Sequence, residues 1–170
     1  MRQLTNDEHG RLDIEGFKAS ARNPVVIVLD NVRSLNNIGS AFRSGDAFRI
    51  EKLVLCGIST PPPHRDIHKS ALGAEMSVDW QYFENTTDAV AELKTAGYAI
   101  IAIEQTTASI PLNDFKPDSR VALIFGHEIH GVSPDVLALC DAAVEIPQYG
   151  TKHSLNVAVS VGIVLWHILH

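Results

Sequence analysis

The chain has 170 residues, of which 45% are hydrophobic and 20% charged, and its formal net charge is −6. That length suffices for one domain with a real core, and the composition excludes disordered and fibrous classes. The acidic balance argues against a protein that coats nucleic acid over its whole surface, but it leaves room for a local basic patch.

Thr5-Asn6-Asp7-Glu8 has capping-box spacing and predicts a helix running to about Ala19. Its apolar positions are sparse, so residues 1–23 read as a helical extension on the surface, with no apolar signal-peptide core. Pro24 ends it. Residues 25–30, Val-Val-Ile-Val-Leu-Asp, form a continuous apolar run, the pattern of a strand covered on both faces. A polar loop follows, and a helix over 38–48 would have Asn37 as its N-cap. Then come a strand at 52–56, a proline loop at 61–63, a short helix at 66–72 and a strand at 78–83. A helix at 87–96 stops at Gly97, and strands follow at 98–103 and 121–125. Ser133-Pro134 opens a helix to Leu139 by N-cap and first-turn proline. The last strand covers 142–146.

After a loop containing Gly150, Lys152 and His153, Ser154 stands where an N-cap would stand, ahead of a helix apolar on every side. The run from 155 to 169 falls short of the ~20 apolar residues that span a bilayer. Such a helix must be covered all round, which predicts a homodimer packed on it, with a central core helix as the alternative. Cys56 and Cys140 each sit in an apolar stretch and read as small core residues in a reducing compartment, hence a cytoplasmic protein. Six strands alternating with helices predict an α/β fold: a mostly parallel six-stranded sheet with helices on both faces. Ligands bind beyond the carboxyl ends of strands in such sheets, and Asp30, Phe125 and Ile146 stand out there.

Three constellations follow those strand ends. The first runs from Asn31 to Arg43, a loop with three asparagines entering a helix whose first turn carries Gly39, where another segment or a phosphate can approach closely. It has neither the glycine–lysine spacing of a P-loop nor a G-x-G-x-x-G turn. The second runs from Phe125 to Pro134. Its His127-Glu128-Ile129-His130 spacing is not that of a zincin, and no third ligand is evident, so no metal is expected. The third is the 146–156 loop, where a hydroxyl, an amide and a cation gather at a helix N-terminus.

Asn37-x-Gly39-x-x-x-Arg43, Phe125-Gly126-x-Glu128-x-x-Gly131 and Ile146-Pro147-x-x-Gly150-x-x-x-Ser154-Leu155-Asn156-Val157 resemble, in order, the three motifs of the SpoU/TrmH branch of the SPOUT RNA methyltransferases. The resemblance covers residues 24 to 169. It implies a single domain over 1–170 whose C-terminal part, 121–170, forms a deep trefoil knot, a rare exception to the rule against knotted chains. It implies S-adenosylmethionine as cofactor, a homodimer, and methylation of a ribose 2′-hydroxyl in RNA. Carried over by position, Ile103, Glu104, Gly126, Ile146, Ser154 and Leu155 would hold the cofactor. Arg43, Asn37, Glu128, Ser154 and Asn156 would form the reaction side.

The family proposal makes Arg43 the general base. Lowering a guanidinium pKa from ~13 to ~8 would cost about 7 kcal/mol, and a neighbouring phosphate would oppose it. Orienting the nucleotide phosphate and stabilising charge are alternative roles, with Glu128 and Ser154 as alternative proton acceptors. Arg33, Arg43, Arg65, Lys69 and Lys152 are the candidate RNA contacts, with Arg65 and Lys69 in the loop from Pro61 to Lys69. With residues 1–23 alone ahead of the first strand, recognition would rest on the catalytic domain. That favours a compact tRNA loop over an rRNA site. An rRNA methyltransferase and a catalytically silent relative remain as alternatives.

Overall fold

The computed structural model describes residues 1–117 and 120–170. Seven strands form one sheet: β1 (Asn23–Asp30), β2 (Ile50–Cys56), β3 (Trp80–Phe83), β4 (Ala99–Ile103), β5 (Ile110–Pro111), β6 (Val121–Phe125) and β7 (Ala142–Glu145). Their order is β3-β2-β1-β6-β4-β7-β5, and every neighbouring pair is parallel. The predicted six strands are all present. The seventh, β5, is a two-residue edge strand with a proline, too short to leave a pattern in the sequence.

Alternate residues of the central strands feed two cores. Val25, Ile27 and Leu29 of β1 point to the face covered by α2 (Leu35–Ala47) and α7 (Val157–Leu169), where Ile38, Phe42, Val161, Val164 and Leu165 are buried. Val26 and Val28 point the other way, to α5 (Thr86–Thr95) and α6 (Pro134–Leu137), against Ala89, Val90, Leu93 and Val136. Burial on both faces is why β1 reads as an unbroken apolar run rather than an alternating one. Burial also pushes the Cys56 thiol up to about 12 and the Cys140 thiol up to about 11, so both favour the thiol form; Cys56 lies in the core and Cys140 is half-buried at its edge.

The helix expected from Thr5 to Ala19 is two short pieces. A 3₁₀ turn at Asn6–His9 ends at Gly10 in the left-handed region (φ 58°), and α1 (Ile14–Ala19) restarts on an Asp13 cap. Too few apolar positions face the core to hold one long helix together. α2 begins three residues before the predicted start. Ser34 is its N-cap, accepting from the Asn37 amide at 3.3 Å, and Asn37 lies in the first turn. Gly39 meets α3 (Arg65–Ala71), where a Cβ would collide with the Ile67 carbonyl and Ser70 Oγ. α4 (Ala74–Ser77) then leads to β3.

Asn156, not Ser154, caps α7, its Oδ1 accepting from the amides of Ala158 (2.9 Å) and Val159 (3.4 Å). Only one face of α7 is covered. Val159 is 50% and Trp166 60% exposed. Among the described residues no helix is long and apolar enough to cross a membrane.

Candidate active site

β4, β6 and β7 end side by side, and a cavity of about 550 Å³ opens beyond their carboxyl ends. Its apolar side is built from Ile103, Phe125, Ile146 and Leu155, while Glu104, Glu128, Glu145 and His153 supply polar groups. All six residues expected to hold a cofactor, Ile103, Glu104, Gly126, Ile146, Ser154 and Leu155, line this one cavity.

Its floor is a tight loop over 126–132, closed by paired hydrogen bonds between the main chains of His127 and Gly131 (3.0 and 2.9 Å). Gly126 is required by the close return of that loop, because a Cβ there would overlap the main chain of Gly131 and Val132. Gly131 adopts φ 68°, and a Cβ there would strike the Glu104 carboxylate. Glu104 accepts from the Val132 amide at 3.0 Å and from the Gln105 amide at 2.9 Å. The glycine spacing thus reflects chain meeting chain as well as space for a ligand.

Glu128 joins the three sequence constellations. Its carboxylate accepts from the Arg33 amide (3.0 Å), the Ser34 amide (2.9 Å) and Asn37 Nδ2 (3.1 Å). Asn156 Nδ2 in turn donates to Asn37 Oδ1 at 3.0 Å. Partial burial pushes the Glu128 carboxyl up, but the amides of Arg33 and Ser34 and the Asn37 side chain together hold it below the usual carboxylate range. Three donors take three of its roughly four acceptor sites and favour its charged form.

Arg43 lies two turns into α2 with its side chain exposed, and among the described residues it has no hydrogen bond or ion pair. Ser154 and Lys152 are exposed in the 150–156 loop, which Gln105 Nε2 holds by donating to the His153 carbonyl at 3.1 Å. Arg65 and Lys69 sit on α3, and Lys69 is paired with Asp66 at 2.7 Å. The structure therefore brings Asn37, Glu128 and Asn156 into one network beside the cavity. All five basic residues are exposed, and Arg33 joins the network through its main-chain amide.

Two residues outside the predicted set belong to these corners. Gln105 anchors the third loop, with no signal in the sequence. Asp30 is 1% exposed at the end of β1 and accepts from four donors. Its signal was a carboxylate closing a fully buried apolar run.

The sequence model of the SpoU rRNA Methylase family matches residues 24–166. A tRNA (guanosine(18)-2'-O)-methyltransferase of Borreliella burgdorferi is 29% identical over 98% of this chain and 74% of its own length. The 23S rRNA (guanosine-2'-O-)-methyltransferase RlmB of Neisseria meningitidis is 30% identical over 84% of this chain and 56% of its own. An AdoMet-bound rRNA methyltransferase from Sinorhizobium meliloti superposes with a TM-score of 0.80 at 26% identity, over 86% of this chain and 56% of that one. The A. aeolicus TrmH/SpoU tRNA modifying enzyme gives 0.79 at 26% identity, over 87% and 75%. The chain thus spans about half to three quarters of the length of these relatives.

Proposed function

The chain belongs to the SpoU rRNA methylase family, and from that premise we propose that it is an RNA methyltransferase, transferring a methyl group from S-adenosylmethionine to a ribose 2′-hydroxyl. The observation that carries this reading is a single cavity lined by six residues, Ile103 and Glu104 at the end of β4 and the rest from the second and third motifs, joined through Glu128 and Asn37 to Asn156.

The cavity fits the cofactor. Its volume lies in the range of small-molecule sites, roughly 300–1,000 Å³. The aliphatic side chains of Ile103, Ile146 and Leu155 suit a purine, and the carboxylates suit a cationic centre. When bound, S-adenosylmethionine supplies a methyl group activated by the sulfonium charge. Catalysis then rests on placing the hydroxyl in line with it at near-attack distance, the hydroxyl's proton passing to solvent. Glu128 fixes the first turn of α2 and, through Asn37, the N-terminus of α7. Ser154, exposed on the cavity wall, holds the ribose edge. Arg43, free and exposed, holds the adjacent phosphate as a bidentate cation. That role agrees with the ordinary charge state of a guanidinium, whereas a base role opposes it. Arg33, Arg65, Lys69 and Lys152 add phosphate contacts.

The protein works as a cytoplasmic homodimer through α7. Val159, Ile163 and Trp166 form its uncovered face, beside a groove of about 670 Å³ that shares Ile146 with the cofactor cavity. Residues 1–170 act as one domain, and the 146–156 passage between β7 and α7 is the threaded part of the knot that the family resemblance implies.

Transfer RNA is the substrate this reading favours, because a net charge of −6 suits limited contact with a compact loop. Ribose methylation mapped in cellular RNA with and without the gene tests this. Loss of one 2′-O-methyl from a tRNA is expected. Loss of an rRNA methyl would move the target, and an unchanged ribose map would remove the assignment.

A further inference from the structure

Asp30 closes β1 with a buried carboxylate and no cation beside it within ion-pair distance among the described residues. Burying such a charge is costly unless every lone pair is used. Here they are used. Oδ1 accepts from Thr86 Oγ1 (2.5 Å), at the start of α5, and from Asn31 Nδ2 (2.9 Å). Oδ2 accepts from both the amide and the hydroxyl of Ser133, each at 2.9 Å.

The Ser133 bonds have a further consequence. β6 lies between β1 and β4, and the loop leaving it returns over its own strand end. Two successive amides on that return are divided between the flanking strands. Val132 donates to Glu104, after β4, and Ser133 donates to Asp30, on β1. The loop is thus pinned from both sides at its exit, immediately after Gly131. We propose that Asp30 is a positioning residue for the cofactor cavity: it holds the 126–133 loop in its ligand-ready shape without touching the ligand. The proposal rests on the methyltransferase reading. Asp30 does not line the cavity, whereas Gly126, Gly131 and Val132 do.

Asp30→Asn keeps size and burial but turns one acceptor into a donor facing the Ser133 or Thr86 donors. Ser133→Ala removes the hydroxyl bond and keeps the amide bond, so it is the milder change. Val54→Ala, in the same core but on β2, controls for general destabilisation. Titration calorimetry with S-adenosylmethionine, paired with hydrogen exchange on the ligand-free protein, tests the claim.

Asp30→Asn is expected to weaken binding about ten-fold or more and to speed exchange at 131–133 while β1 and β6 stay protected; Ser133→Ala falls between it and the parent. Val54→Ala is expected to bind within about two-fold of the parent despite a lower Tm. Parental affinity and exchange in Asp30→Asn would overturn the proposal. So would a loss of affinity in Val54→Ala equal to that in Asp30→Asn. If the parent itself bound no S-adenosylmethionine, the methyltransferase reading would fall, and the exchange pattern alone would decide whether Asp30 holds the loop.

Discussion

At the scale of single residues, Glu128 and Arg43 divide the work that one polar cluster suggested. Glu128 is spent on three donors, two of them main-chain amides, and so ties the second motif to the first. Glu128→Gln leaves at least one amide facing a donor and should cost about 1–3 kcal/mol of stability at pH 7. The sign with pH follows from its lowered pKa. The carboxylate's contribution is complete above the unfolded value of ~4.3 and is lost as pH falls through the lower folded value. Denaturant titrations should therefore show the gap between parent and Glu128→Gln intact at pH 7 and closing below about pH 4. Arg43 has the opposite character, exposed and without a side-chain partner among the described residues. Arg43→Lys should keep charge but lose the planar fork, lowering kcat roughly 10- to 100-fold in a methyl-transfer assay, with S-adenosylmethionine affinity unchanged. Arg43→Lys at parental kcat would show that charge alone suffices. That Asn37, Glu128 and Asn156 belong to three segments following strand ends was legible in the sequence. How they bond was not, because Asn37 and Asn156 are 119 positions apart and meet only through the fold.

At the scale of elements, the strands were the most legible part and the helix ends the least. Continuous apolar runs identify β1, β4 and β6 because each is buried on both faces. Caps misled where two candidates stood close together. Ser34 rather than Asn37 starts α2, and Asn156 rather than Ser154 starts α7, and a serine or asparagine satisfies the same amides. The displaced Asn37 and the chosen Asn156 then bond each other, so capping and site geometry are one arrangement at α7. The 126–132 loop is the element most sensitive to a small change. Gly126→Ala would force the Gly131–Val132 main chain away from the strand end. It should weaken S-adenosylmethionine binding by about 10- to 100-fold by calorimetry, in line with an overpacking cost of ~1–3 kcal/mol. Parental affinity would show that the loop relaxes without cost to the cavity.

At the scale of the whole molecule, the all-round apolar character of α7 is the feature a monomer leaves unexplained. Val161, Val164 and Leu165 are buried against the core, while Val159, Ile163 and Trp166 face outward. Trp166→Glu should leave the subunit folded, because Trp166 is 60% exposed, and convert a dimer to a monomer in light scattering at micromolar concentration. A monomeric parent would remove the dimer. The parallel sheet with its two cores was legible from alternation of strands and helices. The knot that the family resemblance implies lies outside what such alternation can carry, because periodicity holds no information about threading. The central claim is methyl transfer to a ribose hydroxyl. Its most direct test is to incubate the purified protein with methyl-labelled S-adenosylmethionine and bulk RNA, digest the RNA completely, and identify the labelled nucleoside. The label is predicted in a 2′-O-methylnucleoside, in linkages that resist alkali. Label in a base methyl group, or none in RNA under conditions where the cofactor binds, would contradict it.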